Sequence, residues 1–131
     1  MVDSKCILIV EDNDSIRLLL GSMLRKKYEV ITKKDGLEAM AWLVAGHLPD
    51  LILLDMSMPR LNGTEFLKSI RQSGFFKDIP VIVLSGNDGE QEIKDCLKWG
   101  VSHYLTKPFN PISLKELIHV IFSSRLEKLA N

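Results

Sequence analysis

Three carboxylates stand at the ends of two apolar runs: Glu11 and Asp12 follow ILIV in ILIVED (residues 7–12), and Asp55 closes LILLD (residues 51–55). A hydroxyl, Ser85, ends the run VIVLS (81–85), and an ammonium, Lys107, follows HYLT (103–106). Taken singly, each acid reads as a solvated loop charge or a helix cap, and Asp14 is read as the cap of the first helix. Gathered in one place, three carboxylates repel by roughly 4 kcal/mol per close pair at an effective dielectric of 20, so they must shift their pKa values or recruit a cation. An oxygen-only donor set with no His or Cys nearby in sequence suits Mg²⁺, which keeps waters and completes its shell with phosphate oxygens, better than zinc. A metal beside a carboxylate, with a lysine and a serine converging on it, is an arrangement for phosphoryl transfer: the cations neutralise phosphate oxygens while a carboxylate oxygen attacks. Asp55 stands alone at its strand end and is the candidate nucleophile; Glu11 and Asp12 are the adjacent pair a metal would occupy.

The elements that must bring these residues together follow from the spacing of the apolar positions. Strand-sized runs occur at CILIV (6–10), EVIT (29–32), LILLD (51–55), VIVLS (81–85) and HYLT (103–106). Between them the apolar residues take helical spacing: Ile16, Leu19, Leu20, Met23 and Leu24; Ala39, Met40 and Leu43; Phe66, Leu67 and Ile70; Ile93 and Leu97; Leu114, Leu117, Ile118 and Ile121. Gly36, Pro49, Gly63, Pro80 and Gly100 punctuate the same boundaries. Alternating βα units with near-continuous apolar strands imply a parallel sheet buried on both faces. Right-handed crossovers and five strands point to an α/β, flavodoxin-like doubly wound (βα)5 sandwich of strand order 2-1-3-4-5. In that order strands one and three flank the switch point, so acids about forty residues apart meet beyond the carboxyl ends of the strands.

The totals bound the alternatives. A chain of 131 residues with 46% hydrophobic content builds one ordinary core. Seventeen basic and seventeen acidic residues cancel, which leaves no basic excess for direct nucleic-acid binding. No apolar stretch approaches the roughly 18 residues of a membrane span, and the N-terminus MVDSKC has no secretory pattern, so the expectation is a cytoplasmic protein without a membrane partner. Cys6 and Cys96 lack metal or redox spacing and read as reduced, packed thiols. The histidines His47, His103 and His119 are scattered and read as ordinary surface or boundary residues.

With these residues in place, the chain resembles the receiver domain of two-component response regulators. The motifs that carry the likeness are ILIVEDN, DLILLDMSMPRLNG, IPVIVLSG and YLTKPF, in the family's order and spacing. The expected domain is a single receiver over residues 1–131, with a core of about 5–126. The strand order is a property of that family, so the fold expectation no longer rests on pattern alone. The resemblance implies Asp55 as phospho-acceptor, and Glu11 and Asp12 as Mg²⁺ ligands with Asp55 and the backbone carbonyl of Ser57. It implies Ser85 as the hydroxyl drawn to the phosphoryl group, Lys107 as the cation paired with it, Tyr104 as the aromatic switch, and a cis Lys107–Pro108 peptide bond. The implied donor is a sensor histidine kinase or a histidine phosphotransfer protein, and the implied output is a surface of helix 4, strand 5 and helix 5 that binds a downstream protein. Such a domain is a switch that catalyses its own phosphorylation and dephosphorylation rather than a turnover enzyme.

Some positions depart from the family's commoner residues: Gly86 follows Ser85 where alanine is usual, and His103 precedes Tyr104. Ser57 and Asn87 occupy the variable positions that influence phosphoryl lifetime in the family. Trp99 belongs either to the output face or to the covering of helix 4's end. The fifth helix runs on through RLEKLAN, with Leu126 and Leu129 extending its apolar stripe. That leaves open fraying, dimerisation, including a phosphorylation-dependent homodimer, or continuation into an output domain. Two other functions compete. A Mg²⁺-dependent phosphohydrolase with an aspartate nucleophile commonly has a second acid two residues on, where this chain has Ser57. A receiver-like interaction module would keep the site without using phosphorylation.

Overall fold

The structure, a computed structural model, describes residues 5–56, 58, 62–86 and 89–130, with only the backbone described for 125–130. Strands and helices alternate as β1 (Cys6–Val10), α1 (Asp14–Leu24), β2 (Glu29–Lys33), α2 (Gly36–Val44), β3 (Leu51–Asp55), α3 (Gly63–Gln72), β4 (Val81–Ser85), α4 (Glu90–Lys98), β5 (His103–Thr106) and α5 (Pro111–Ala130). The strands form one parallel sheet of order β2-β1-β3-β4-β5. The doubly wound expectation therefore holds. The apolar runs at β1, β3 and β4 are buried along nearly their whole length because helices cover both faces of the sheet.

The two-residue side-chain period divides the core. Leu8, Val10, Ile52, Leu54, Val81 and Val83 pack with α2, α3 and Cys96 of α4, whereas Ile7, Ile9, Leu51, Leu53, Ile82 and Leu84 pack with α1 and α5. The α5 stripe of Leu114, Leu117, Ile118 and Ile121 faces the second layer as its spacing predicts. The side chains of Leu126 and Leu129 lie outside the described residues.

Three local expectations need correction. Asn13, not Asp14, caps α1: its side-chain oxygen accepts from the Ile16 amide at 2.9 Å, and Asp14 begins the helix itself. Both residue types cap well, so one step of chain path decides between them, and Asp14 remains favourable in the first turn beside the helix dipole. Leu19 is 53% exposed, because Leu20, Gly21 and Leu24 turn the buried face of α1 by one residue. In α4, Leu97 is 61% exposed and Cys96 is buried, so the inward face runs through Glu92, Cys96 and Trp99 instead of through Ile93 and Leu97 alone. The amphipathic rule counts Leu97 as apolar and Glu92 as polar, and it cannot register an acid that has partners inside.

The end of α4 is fixed by backbone and by one cation. Gly100 takes φ +71°, and the amides of Gly100 and Val101 bond back to Leu97 O (3.0 Å) and Cys96 O (3.3 Å), a Schellman closure that favours glycine. Arg71 of α3 then donates to Trp99 O at 2.7 Å, Gly100 O at 3.1 Å, Ile79 O at 2.8 Å and Lys77 O at 3.1 Å. The partly buried Trp99 packs on the α2–α3 layer, which favours its reading as a cover for the helix end.

Candidate functional site

The carboxyl ends of β1, β3, β4 and β5 hold the candidate residues in position through the sheet's own bonding. Glu11 continues from β1 with its amide on Lys33 O at 3.0 Å. Asp55 is the last residue of β3 and pairs in register with Leu84. Lys107 follows β5, its amide on Ser85 O at 2.6 Å, and the Lys107–Pro108 bond is cis, as the resemblance implies. Gly63 opens α3 directly beneath this end: a Cβ there would stand 2.5 Å from Met56 Cα and 3.0 Å from Asp55 O. Only a glycine lets the helix approach the residue after Asp55 so closely.

Glu11 and Asp55 are almost completely buried, and Lys107 Nζ lies 2.8 Å from Glu11 Oε1 and 3.4 Å from Asp55 Oδ1. Burial alone lowers the lysine's pKa, but the two carboxylates outweigh it and hold the ammonium above its ordinary value. Asp12 is exposed at the mouth of the site; burial, and then the hydrogen bond and charge of Asp55, raise its carboxyl above the usual aspartate range. One oxygen from each of Glu11, Asp12 and Asp55 lies within 4.8 Å of the others, comparable with the roughly 4 Å across an octahedral Mg²⁺ shell. Among the described residues, three acids gather around one ammonium and the donors are all oxygen, so the cluster fits a small hard cation. The backbone carbonyl expected of Ser57, like the side chain of Asn87, lies outside the described residues.

Ser85 and Tyr104 turn the other way. By strand alternation Asp55 shares the side of Leu51 and Leu53, toward α1 and α5, while Ser85 shares that of Val81 and Val83, toward α2–α4. Tyr104, half-buried, packs against this α2–α4 layer. There the Ser85 hydroxyl donates to Glu92 Oε2 at 2.6 Å, and the Tyr104 hydroxyl bonds to the same oxygen. Burial, and then this bond, push the Tyr104 phenol up to about 12.

Sequence reasoning missed Glu92. It is the third residue of α4, where an acid is explained by the helix dipole or by a capping box and needs no other purpose. Its place seven residues after Ser85, in the first turn of the helix that follows the strand end, is the signal that was available.

Against known proteins, the family model described as the response regulator receiver domain matches residues 7–119. Chemotaxis protein CheY1 of Helicobacter pylori is 34% identical over 120 residues, covering 90% of this chain and 97% of that one. The solved structure of the Vibrio cholerae chemotaxis protein CheY4 superposes with TM-score 0.83 at 31% identity, over 91% of this chain and 99% of the other. The receiver domain of sensor histidine kinase PA1611 from Pseudomonas aeruginosa, solved with magnesium coordinated in its active-site cleft, gives TM-score 0.82 at 30% identity, over 92% and 99%. The chain belongs to the response regulator receiver family. Its function is accordingly that of a phospho-accepting receiver in two-component signalling, a signalling switch. Among the described residues, no helix is long and apolar enough to cross a membrane.

Proposed function

We propose that Asp55 is the residue phosphorylated, that Glu11, Asp12 and Asp55 hold Mg²⁺, with Ser57 adding its carbonyl, and that Lys107 neutralises the incoming phosphoryl group. The observation that carries this reading is the ammonium of Lys107 set between buried Glu11 and Asp55, with Asp12 at the open side. A carboxylate oxygen of Asp55 attacks phosphorus of a phosphohistidine, the phosphorus–nitrogen bond breaks, and the imidazole leaves with its electron pair and takes up a proton. Lys107 is already drawn toward carboxylate charge and gains phosphate oxygens as partners, at the spacing of charge-assisted hydrogen bonds. Mg²⁺, when bound, neutralises the remaining oxygens.

The chain acts in the cytoplasm, and its phosphoryl donor is a sensor histidine kinase or a histidine phosphotransfer protein. Ser85 and Tyr104 then transmit the change to the surface of α4, β5 and α5, where exposed Leu97 offers an apolar contact to a downstream protein or to a second phosphorylated copy. The chain acts as a single receiver domain over residues 1–131, with its core at about 5–126.

The test is the intact mass after incubation with a small acyl phosphate donor, with and without Mg²⁺. One phosphoryl adduct on the wild type, only with metal, and none on a folded Asp55→Asn protein is expected. An adduct on Asp55→Asn, or donor hydrolysis without any adduct or dependence on Asp55, would refute it.

A further inference from the structure

We infer that Glu92 is a positioning residue of the switch: its carboxylate holds the Ser85 and Tyr104 hydroxyls toward α4, and phosphorylation has to take Ser85 away from it. This rests on Asp55 being the acceptor.

One oxygen, Glu92 Oε2, takes both hydroxyls, with Ser85 at 2.6 Å. Ser85 is fully buried, and Glu92 itself stands on the inward face of α4, one turn before buried Cys96. A carboxylate among these groups makes charge-assisted bonds about twice as strong as neutral ones. The phosphoryl group is also an anion seeking hydroxyl donors, so Glu92 and phospho-Asp55 compete for the same Ser85 proton from opposite sides of the sheet's end. Because Tyr104 is tied to the same oxygen, release of Ser85 and rearrangement of Tyr104 become one event. Glu92 lies in the first turn of α4, so the event is also felt by the helix that carries Leu97.

The consequence is a population shift: a weaker hold by Glu92 leaves more of the protein ready to bind a phosphoryl group and raises apparent affinity in proportion. The probe is beryllofluoride, a phosphoryl mimic, titrated with Mg²⁺ in excess onto the wild type and onto Glu92→Gln, Glu92→Asp and Glu90→Gln. Glu92→Gln keeps the shape and removes the charge, and about tenfold tighter binding is expected, the difference between a charge-assisted and a neutral bond. Glu92→Asp shortens the arm and should tighten binding to a lesser degree. Glu90→Gln removes a charge from the same helix turn and should change little.

In parallel, the Tyr104 phenol, titrated by tyrosinate absorbance without beryllofluoride, should fall from about 12 toward its ordinary value in Glu92→Gln. Loss of fold would weaken binding, so tightening is a signature that structural damage cannot mimic. Unchanged or weaker binding by folded Glu92→Gln, an equal gain in Glu90→Gln, or an unmoved phenol titration would each overturn the inference. Failure of the wild type to bind beryllofluoride would instead overturn Asp55 as acceptor, and this inference with it.

Discussion

Lys107, beyond the carboxyl end of β5, and Arg71, near the amino ends of β4 and β5, are both half-buried cations surrounded by oxygen, yet the two ends of the sheet use them differently. Arg71 donates to four backbone carbonyls, each neutral and each a fixed part of a chain reversal. Its planar fork is matched to them, so nothing is left for a ligand to complete. Among the described residues, Lys107 faces Glu11 and Asp55 with Asp12 nearby, and its one ammonium cannot neutralise three acids. The excess of acceptors and of charge is what makes that end reactive. A cation among dipoles closes a structure, whereas a cation outnumbered by carboxylates leaves a place for another cation and for a phosphoryl group.

The largest effect is expected from Lys107→Ala. Losing a preorganised charge donor should slow phosphorylation by a small-molecule donor about 10²–10³-fold. It also leaves Glu11 buried without its ammonium, so the metal-free protein should lose about 2 kcal/mol in urea unfolding, recovered in large part by Mg²⁺. Arg71→Ala should show the opposite pattern. Several carbonyls lose a charged donor, costing about 2–4 kcal/mol in urea unfolding, with no rescue by Mg²⁺ and no change in the phosphorylation rate of the folded fraction. Arg71→Lys should recover only part of that stability, since an ammonium cannot span the same carbonyls. If both variants responded to Mg²⁺ alike, the contrast between the two ends would be lost.

Gly63→Ala probes how the fold supports the reactive end. The added methyl would meet Met56 Cα and Asp55 O, so the start of α3 or the end of β3 has to move. A destabilisation of about 1–3 kcal/mol is expected, together with slower phosphorylation because Asp55 shifts. An alanine that slowed phosphorylation without any loss of stability would place the effect on the site rather than on packing.

How far the sequence could be read differs in the same way between regions. The strands were legible because continuous apolar runs fix a buried sheet; their order 2-1-3-4-5, and with it the meeting of Glu11, Asp12, Asp55 and Lys107, rested on that pattern together with the resemblance to receiver domains. The helices were less so. The stripes of α1 and α4 were each drawn through a leucine, Leu19 and Leu97, that is exposed, since periodicity fixes a helix face only to within about one residue. Glu92 was invisible for a related reason: a polar residue on an inward face is recognisable only once its partners, Ser85 and Tyr104, are known to lie opposite. Arg71 gave no signal because its partners are carbonyls, which every residue has.

The smallest effect concerns alkaline pH, and it separates the ends once more. A phenol raised from 10.0 to about 12 keeps its proton in the folded protein while the unfolded chain loses it, so the folded state binds more protons across that window. Stability supplied by Tyr104 is therefore complete below pH 10.0 and drains away as pH climbs toward about 12. Lys107 acts with the same sign: its pKa is raised, so its contribution is full below its ordinary 10.5 and is lost above. Arg71, though burial lowers its pKa, remains a guanidinium cation through this range and contributes no such slope. Urea unfolding from roughly pH 9 to 11.5 should show wild type weakening more steeply than Tyr104→Phe, while Arg71→Ala keeps the wild-type slope from a lower starting point. Glu92→Gln should flatten only part of the slope that Tyr104→Phe removes, because burial, the larger cause of the raised phenol, remains after the carboxylate is gone. A wild-type slope that persisted in Tyr104→Phe would assign the alkaline loss to Lys107 and its carboxylates instead.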